Sequence, residues 1–142
     1  MTIKPFCRKA NFYETDQMGI IHHSNYIKWF EEARVDFLDQ LNFEYKKVNN
    51  FDIDFALLDV YCEYKLMVYF GDIVNIHVSI SEITEMRMTI EYKIIDAKSG
   101  GICTLGKTKH FFYNNKKKRP VSLKREIPEL YEIFLSIKTA DE

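Results

Sequence analysis

One short polar segment holds the side chains best suited to acid–base chemistry. Residues 13–26 (YETDQMGIIHHSNY) place Asp16 three residues before Gly19, and six and seven residues before His22 and His23. A carboxylate can act as a nucleophile or as a general base, and a histidine changes its charge near neutral pH. The segment is therefore the first candidate for an active site.

A long amphipathic helix follows this segment and must position it. Apolar residues recur every three or four positions, at Tyr26, Phe30, Ala33, Phe37 and Leu41. The pattern predicts a helix over residues 24–41, with Ser24 or Asn25 as the N-cap. Asp16 would then lie close to a helix N-terminus, where free backbone N–H groups and the helix dipole favour developing negative charge.

Composition limits the class of protein. The chain has 142 residues, 46% of them hydrophobic, and a net charge of −1, which predicts one folded domain over residues 1–142 and gives no support for nucleic-acid binding. No apolar run approaches the length of a membrane span, so no membrane insertion is expected. Cys7, Cys62 and Cys103 are widely spaced without a zinc pattern, which favours free thiols in a cytoplasmic protein.

The rest of the chain has the period of β-strands. Alternating apolar residues predict strands over residues 55–68, 73–83, 86–95 and 102–113, after a first strand at 6–13. Residues 42–54 and 114–119 are expected to be a connecting loop and a basic turn, residues 127–137 a C-terminal helix, and residues 139–142 a loose end. Short turns imply antiparallel pairing, and the one long helix must cover the apolar face of the sheet. The prediction is an α+β fold with about five antiparallel strands wrapped around a central helix.

The segment at residues 13–26 resembles the hotdog-fold acyl-CoA thioesterases of the 4-hydroxybenzoyl-CoA thioesterase family. The shared pattern is an aromatic strand end, Asp16, Gly19, two apolar residues, His23 and then Tyr26 at the start of the helix. Residues 70–72, 89–94 and 118–121 resemble later landmarks of that family. The resemblance implies a cytoplasmic hotdog enzyme that hydrolyses acyl-CoA thioesters without a metal or cofactor. Gln17–Met18 and the double histidine depart from the usual pattern and leave substrate choice open.

The resemblance also implies roles for individual residues. Asp16 would attack the thioester to give an anhydride, or activate a water molecule; these two routes stay open. His23 would supply a backbone N–H to the carbonyl oxygen, and its side chain is a candidate to orient water or the leaving thiolate. The implied substrate-binding residues around them are Gly19, Ile20, His22 and Tyr26.

Coenzyme A carries phosphates, so basic residues are expected to bind it. The candidates are Arg87, Lys117 and Arg119, with residues 116–119 as the densest group of positive charge and Lys65 as a further candidate. Hotdog proteins of this family assemble as dimers with composite sites, so we expect a homodimer or homotetramer in which Arg87 or Met86 comes from the neighbouring subunit.

Other interpretations remain open from the sequence. Asp16 taken alone could be a structural charge near a helix N-terminus, but its spacing to Gly19, His23 and Tyr26 favours the catalytic role. Glu31 with Glu32 could be a second carboxylate pair, although solvated or structural roles are favoured for these two glutamates. A thioesterase that acts on an acyl carrier protein would also use a basic surface. A non-catalytic acyl-CoA binding module is the third alternative, but a pure binder has no need for a carboxylate beside a thioester.

Overall fold

The computed structural model describes residues 2–139 of the chain. Its strands are β1 (Phe6–Lys9), β2 (Ile53–Tyr64), β3 (Ile73–Ile83), β4 (Arg87–Asp96), β5 (Ile102–Asn114) and β6 (Arg119–Pro120). Its α-helices are α1 (Ser24–Gln40), α2 (Tyr45–Asn49), α3 (Leu123–Glu126) and α4 (Pro128–Ile137), and a short 3₁₀ turn covers Phe12–Glu14. No helix within the described range is long and apolar enough to cross a membrane.

All six strands belong to one antiparallel sheet. The strand order is β1-β3-β4-β5-β2, with the two-residue β6 paired to β5. β3, β4 and β5 follow one another in sequence and in space, as expected for strands joined by short turns. β1 and β2 form the two edges of the sheet. The predicted α+β architecture is confirmed, with β6 as an additional short strand.

The alternation along the strands selects the face that is buried. Val74, Ile76 and Ile80 of β3 are fully buried, as are Ile90 and Ile94 of β4. These residues share one face because successive side chains of a strand point to opposite sides. This face carries the hydrophobic core of the protein.

The long helix α1 covers this apolar face. Trp29 and Phe30 of α1 have no exposed surface, and the Phe30 ring stacks on Tyr92 of β4 with 4.3 Å between the ring centroids. A Cβ atom added at Gly106 of β5 would lie only 2.2 Å from the Phe30 ring. The absence of a side chain at Gly106 therefore lets α1 approach the sheet closely.

The start of α1 differs from the prediction. Neither Ser24 nor Asn25 is the N-cap, because both are already helical and the N-cap position is His23. The Ser24 hydroxyl instead contacts Nδ1 of His22 at 2.8 Å, and Nδ2 of Asn25 donates to the carbonyl oxygen of Glu14 at 2.8 Å. Both side chains therefore form hydrogen bonds with the loop that precedes α1.

Other boundaries also differ. β1 ends at Lys9 and β2 at Tyr64, and residues 42–54 are not all loop, because they contain α2, whose Val48 is fully buried. Pro120 closes the basic turn by joining β6. Thr139 is not loose, since its backbone N–H donates to the carbonyl oxygen of Ile80 at 2.9 Å, whereas residues 140–142 lie outside the described range.

Candidate active site

The polar segment before α1 folds into a small hairpin. Thr15 and Ile21 form an isolated antiparallel bridge, and the N–H of Asp16 donates to the carbonyl oxygen of Ile20 at 2.8 Å. The turn closes where the N–H of Gly19 donates to the carbonyl oxygen of Asp16 at 3.0 Å. Gly19 has a φ of +79° with open space around its Cα, so the left-handed backbone, and not crowding, favours glycine there.

Only one oxygen of the Asp16 carboxylate accepts a hydrogen bond within residues 2–139. Its Oδ1 accepts a hydrogen bond from the N–H of Met18 at 2.8 Å, which fixes the side chain over its own turn. Its Oδ2 has no hydrogen-bond partner among residues 2–139. The side chain is half-buried. A carboxylate held at one oxygen and free at the other can attack an electrophile or take a proton from water.

A pocket of about 280 Å³ opens beside this carboxylate. The lining residues come from the loop, from the start of α1, and from the end of β2 with the residues that follow it: Asp16, Ile20, Ile21, His23, Tyr26, Tyr64, Lys65, Leu66 and Met67. Apolar walls with a few convergent polar groups are typical of small-molecule sites. The structure thus brings four predicted residues together here, namely Asp16, Ile20, His23 and Tyr26.

A candidate donor is the backbone N–H of His23, a residue that lines this pocket. It lies immediately before the first residue of α1 and makes no hydrogen bond to any part of the described chain. The N–H of His22, by contrast, is occupied, because it donates to the carbonyl oxygen of Glu14 at 2.8 Å. An unpaired N–H at a helix N-terminus is a donor for an anion or an oxyanion.

His22 contacts His23 but is not among the residues that line the pocket. The two imidazole rings stack with 4.1 Å between their centroids, and Nδ1 of His22 also accepts the N–H of Ser24 at 3.1 Å. His22 is therefore placed to hold the His23 ring and the helix start. Its predicted direct role in substrate binding stays a prediction.

Tyr64 belongs to the pocket but was not predicted from the sequence. Its ring meets Tyr26 edge to face at 5.1 Å, and its hydroxyl lies 3.4 Å from the carbonyl oxygen of His23. Burial and the neighbouring Cys62 raise the pKa of Tyr64 to about 12, so the phenol stays a proton donor at neutral pH. Burial likewise raises the pKa of Tyr26. Tyr64 lies 41 positions after His23, so no local spacing exists from which their contact could be predicted.

The predicted phosphate-binding residues lie elsewhere in the chain. Arg87 is paired with Phe111 of β5, and Arg119 with Asn114, whereas the pocket residue Tyr64 is paired with Thr104. Seven to ten residues of β5 separate these positions, or roughly 23–33 Å at about 3.3 Å per residue. One chain does not bring Arg87, Lys117 and Arg119 to the Asp16 pocket. The cation that does line it is Lys65, whose Nζ lies 3.1 Å from a Glu63 carboxylate oxygen.

Within the described part of the chain, the acidic, histidine and cysteine side chains are not grouped as a metal site would require. Among residues 2–139, no group of three or more histidine, cysteine, aspartate or glutamate side chains is arranged to hold a metal ion. Asp16, His22 and His23 thus do not form such a group.

Comparison with known proteins decides the family. Residues 10–133 match the model of the thioesterase-like superfamily. The chain belongs to the thioesterase-like superfamily. It is a thioester hydrolase with the hotdog fold, whereas the narrower resemblance to the 4-hydroxybenzoyl-CoA thioesterase family stays a prediction.

Individual relatives agree with this assignment. The 1,4-dihydroxy-2-naphthoyl-CoA hydrolase of Prochlorococcus marinus is 27% identical over 128 residues, which cover 84% of this chain and 81% of that protein. The structure of the DHNA-CoA thioesterase from Staphylococcus aureus superposes with a TM-score of 0.89 at 28% identity, covering 94% of this chain and 89% of that one. A hypothetical protein of Aquifex aeolicus gives a TM-score of 0.82 at 34% identity, covering 89% and 98% of the two chains.

Proposed function

We propose that this enzyme hydrolyses acyl-CoA thioesters to a free acid and coenzyme A, with Asp16 as the reacting carboxylate. The observation that supports the proposal is that Asp16 and His23 line the same pocket, and that Oδ2 of Asp16 and the backbone N–H of His23 have no partner within residues 2–139. Thioester hydrolysis needs both parts, a nucleophile or base and a donor for the carbonyl oxygen. The similar hydrolase of Prochlorococcus marinus and the thioesterase of Staphylococcus aureus are named for CoA thioesters, which supports CoA as the carrier of the acyl group.

The proposed reaction begins when the thioester carbonyl oxygen accepts the N–H of His23. The helix N-terminus then stabilises the negative charge that develops on this oxygen. In one route Asp16 attacks the carbonyl carbon, the CoA thiolate leaves, and water hydrolyses the resulting anhydride. In the other route Asp16 takes a proton from water, whose oxygen attacks the carbonyl carbon directly. Both routes give one carboxylic acid and one thiol, and the His23 side chain is proposed to orient the water or the thiolate.

We also propose that a second copy of the chain completes the site. β2 is an edge strand, and it carries the exposed apolar side chains Leu57, Leu58 and Tyr61. Such an edge is a template for pairing with another strand. A dimer built on β2, or a tetramer of two such dimers, could bring Arg87, Lys117 and Arg119 of one protomer towards the CoA bound at the other.

A location in a reducing compartment such as the cytoplasm is part of the same proposal. The three cysteines are unpaired in the described structure, with Cys7 exposed, Cys62 half-buried and Cys103 buried. Burial raises the pKa of the Cys62 and Cys103 thiols, so neither is disposed to act as a thiolate nucleophile.

The direct test is thiol release from a panel of acyl-CoA esters by the wild type and by Asp16→Asn. We expect the wild type to hydrolyse several esters and the variant to lose on the order of 10² or more in kcat, as for the removal of a key acid–base group. Asp39→Asn, at an exposed position of α1, is the matched control and should keep wild-type kcat. Equal, slow rates for wild type and Asp16→Asn on every CoA ester would contradict the proposal. The same panel loaded on an acyl carrier protein would then test the alternative carrier.

A further inference from the structure

A second carboxylate, Glu14, lies two residues before Asp16 but is buried and fully engaged. Only 3% of Glu14 is exposed. Its Oε1 accepts Nη1 of Arg8 at 2.6 Å and the N–H of Asn11 at 3.0 Å, and its Oε2 accepts Nε1 of Trp29 at 2.7 Å. Burial alone would raise the pKa of this carboxyl, but the hydrogen bonds from Arg8 and Trp29 outweigh it and hold the pKa below its ordinary value. Glu14 is therefore a buried anion at neutral pH.

Arg8 joins this anion to two elements of the fold. Besides Glu14, it binds Glu32 of α1 through Nε at 2.8 Å and Nη2 at 3.1 Å. Its guanidinium lies over the Trp29 ring, 4.7 Å from the centroid. Arg8 comes from β1, whereas Glu32 and Trp29 come from α1. The cluster of Arg8, Glu14, Trp29 and Glu32 thus ties the edge of the sheet to the helix, and we call it the Glu14 cluster.

The main chain of Glu14 holds the catalytic loop. Its carbonyl oxygen accepts the N–H of His22 at 2.8 Å and Nδ2 of Asn25 at 2.8 Å. Glu14 precedes the hairpin that carries Asp16, and its carbonyl oxygen also binds His22 at the far end of that hairpin. The Glu14 cluster fixes the side chain of this same residue. The bond from His22 also engages the backbone N–H next to the unpaired N–H of His23.

We propose that Glu14 is a positioning residue that fixes the Asp16 carboxylate relative to the His23 N–H. The inference rests on the proposed thioester hydrolysis and assigns Glu14 no contact with substrate. A buried ion cluster is a poor source of stability, because removing the charges from water costs much of what their attraction returns. Geometry, in contrast, matters strongly, since a displacement of about 1 Å at a reacting group can cost about 10²-fold in rate. The cluster is placed to hold that geometry.

The test begins with Glu14→Gln. Glutamine has nearly the shape of glutamate, but its amide NH₂ group would face one of the N–H donors that the Glu14 carboxylate now accepts. We expect kcat to fall about 10- to 100-fold while KM stays within about twofold, because the reacting geometry changes and the substrate contacts do not. Trp29→Phe, which removes one donor to Glu14, should lower kcat by a smaller factor. Tyr92→Phe is the matched control. It removes a buried hydroxyl that contacts Arg34 and Thr108, so it should lower the melting temperature and leave kcat unchanged.

A double-mutant cycle separates positioning from loss of structure. Once Asp16 is asparagine, its placement no longer matters, so Glu14→Gln should reduce the residual rate of Asp16→Asn by less than about twofold. If the two losses multiply in full, or if Tyr92→Phe lowers kcat as much as Glu14→Gln at equal loss of melting temperature, the positioning role is wrong.

Amide hydrogen exchange gives a readout that needs no activity. Glu14→Gln should accelerate exchange at His22, whose N–H bonds to Glu14, and Tyr92→Phe should not. Unchanged exchange at His22 overturns the inference even if kcat falls. If the wild type hydrolysed no thioester while His22 exchange still rose, the proposed function would fail and the holding of the loop by Glu14 would stand.

Discussion

The two ends of the sheet differ in the polar groups that they leave without a partner. At the Asp16 end, Asp16 and His23 line a pocket, and Oδ2 of Asp16 and the backbone N–H of His23 have no partner within residues 2–139.

At the other end, the buried polar groups satisfy one another. Nε2 of His110 contacts Oγ1 of Thr108 at 2.8 Å, which contacts the hydroxyl of Tyr92 at 2.7 Å, and Arg34 donates to that hydroxyl at 3.1 Å. Satisfied buried networks stabilise a particular packing, whereas polar atoms left open at a pocket are available to a substrate. The difference supports the proposal that the chemistry takes place at the Asp16 end.

The largest effect that tests this contrast is expected from His23→Pro. Proline removes the unpaired N–H and suits the observed φ of −56° at a position where no hydrogen bond is lost. If this N–H stabilises the thioester oxyanion, kcat should fall by about 10²–10³, as for the loss of one oxyanion donor. Thiol-release kinetics on the preferred CoA ester measures the change.

His23→Ala is the control for the side chain, because it keeps the backbone N–H. We expect kcat to fall by less than about tenfold, because the variant keeps the proposed oxyanion donor and removes only the side chain proposed to orient water or the thiolate. Equal losses in His23→Pro and His23→Ala would assign the role to the imidazole and contradict the donor assignment.

The Asp16 end could be predicted in large part from the sequence because its residues are close in the chain. Asp16, Ile20, His23 and Tyr26 lie within eleven consecutive positions, so loop and helix geometry alone brings them together. The strand pattern was predicted for a similar reason, since alternation is a local property. β3 begins and ends at the predicted residues, and its inward side chains are buried as expected.

What could not be predicted depends on distant parts of the chain. Tyr64 reaches the pocket only because β2 ends beside α1. Glu14 was not singled out because charged residues usually lie at the surface, and its partners Arg8 and Trp29 come from different elements. The prediction of a phosphate-binding role rests on charge alone for Arg87, Lys117 and Arg119. Charge does not specify where a residue lies in the fold.

A smaller effect is expected from His110, at the satisfied end. Burial, aided by the positive charge of Arg34, lowers the pKa of His110 to about 4. The unfolded chain therefore binds this proton at a higher pH than the folded protein. The contribution of His110 to stability is complete above about pH 6.5 and falls as the pH is lowered towards 4, by about 3 kcal/mol at about 1.4 kcal/mol per pH unit.

Chemical denaturation between pH 4 and pH 7 measures this loss. His110→Gln should flatten the dependence of unfolding free energy on pH, whereas His77→Gln, on the exposed face of β3, should not change it. Identical slopes for wild type and His110→Gln would show that the buried imidazole is not the group that titrates.

The smallest effect concerns Arg119, the exposed charge proposed to meet CoA in a dimer. Arg119→Glu should raise KM about five- to tenfold and leave kcat unchanged, with the difference shrinking at high salt because exposed charges are screened. Lys46→Glu, an exposed lysine on α2, is the control for net charge.

Mixing subunits of Asp16→Asn with subunits of Arg119→Glu decides which chain supplies the arginine. If Arg119 serves the neighbouring pocket, each mixed dimer regains one intact site and wild-type KM appears in the mixture. If it serves its own pocket, or if there is no shared site, the mixture keeps the raised KM of Arg119→Glu.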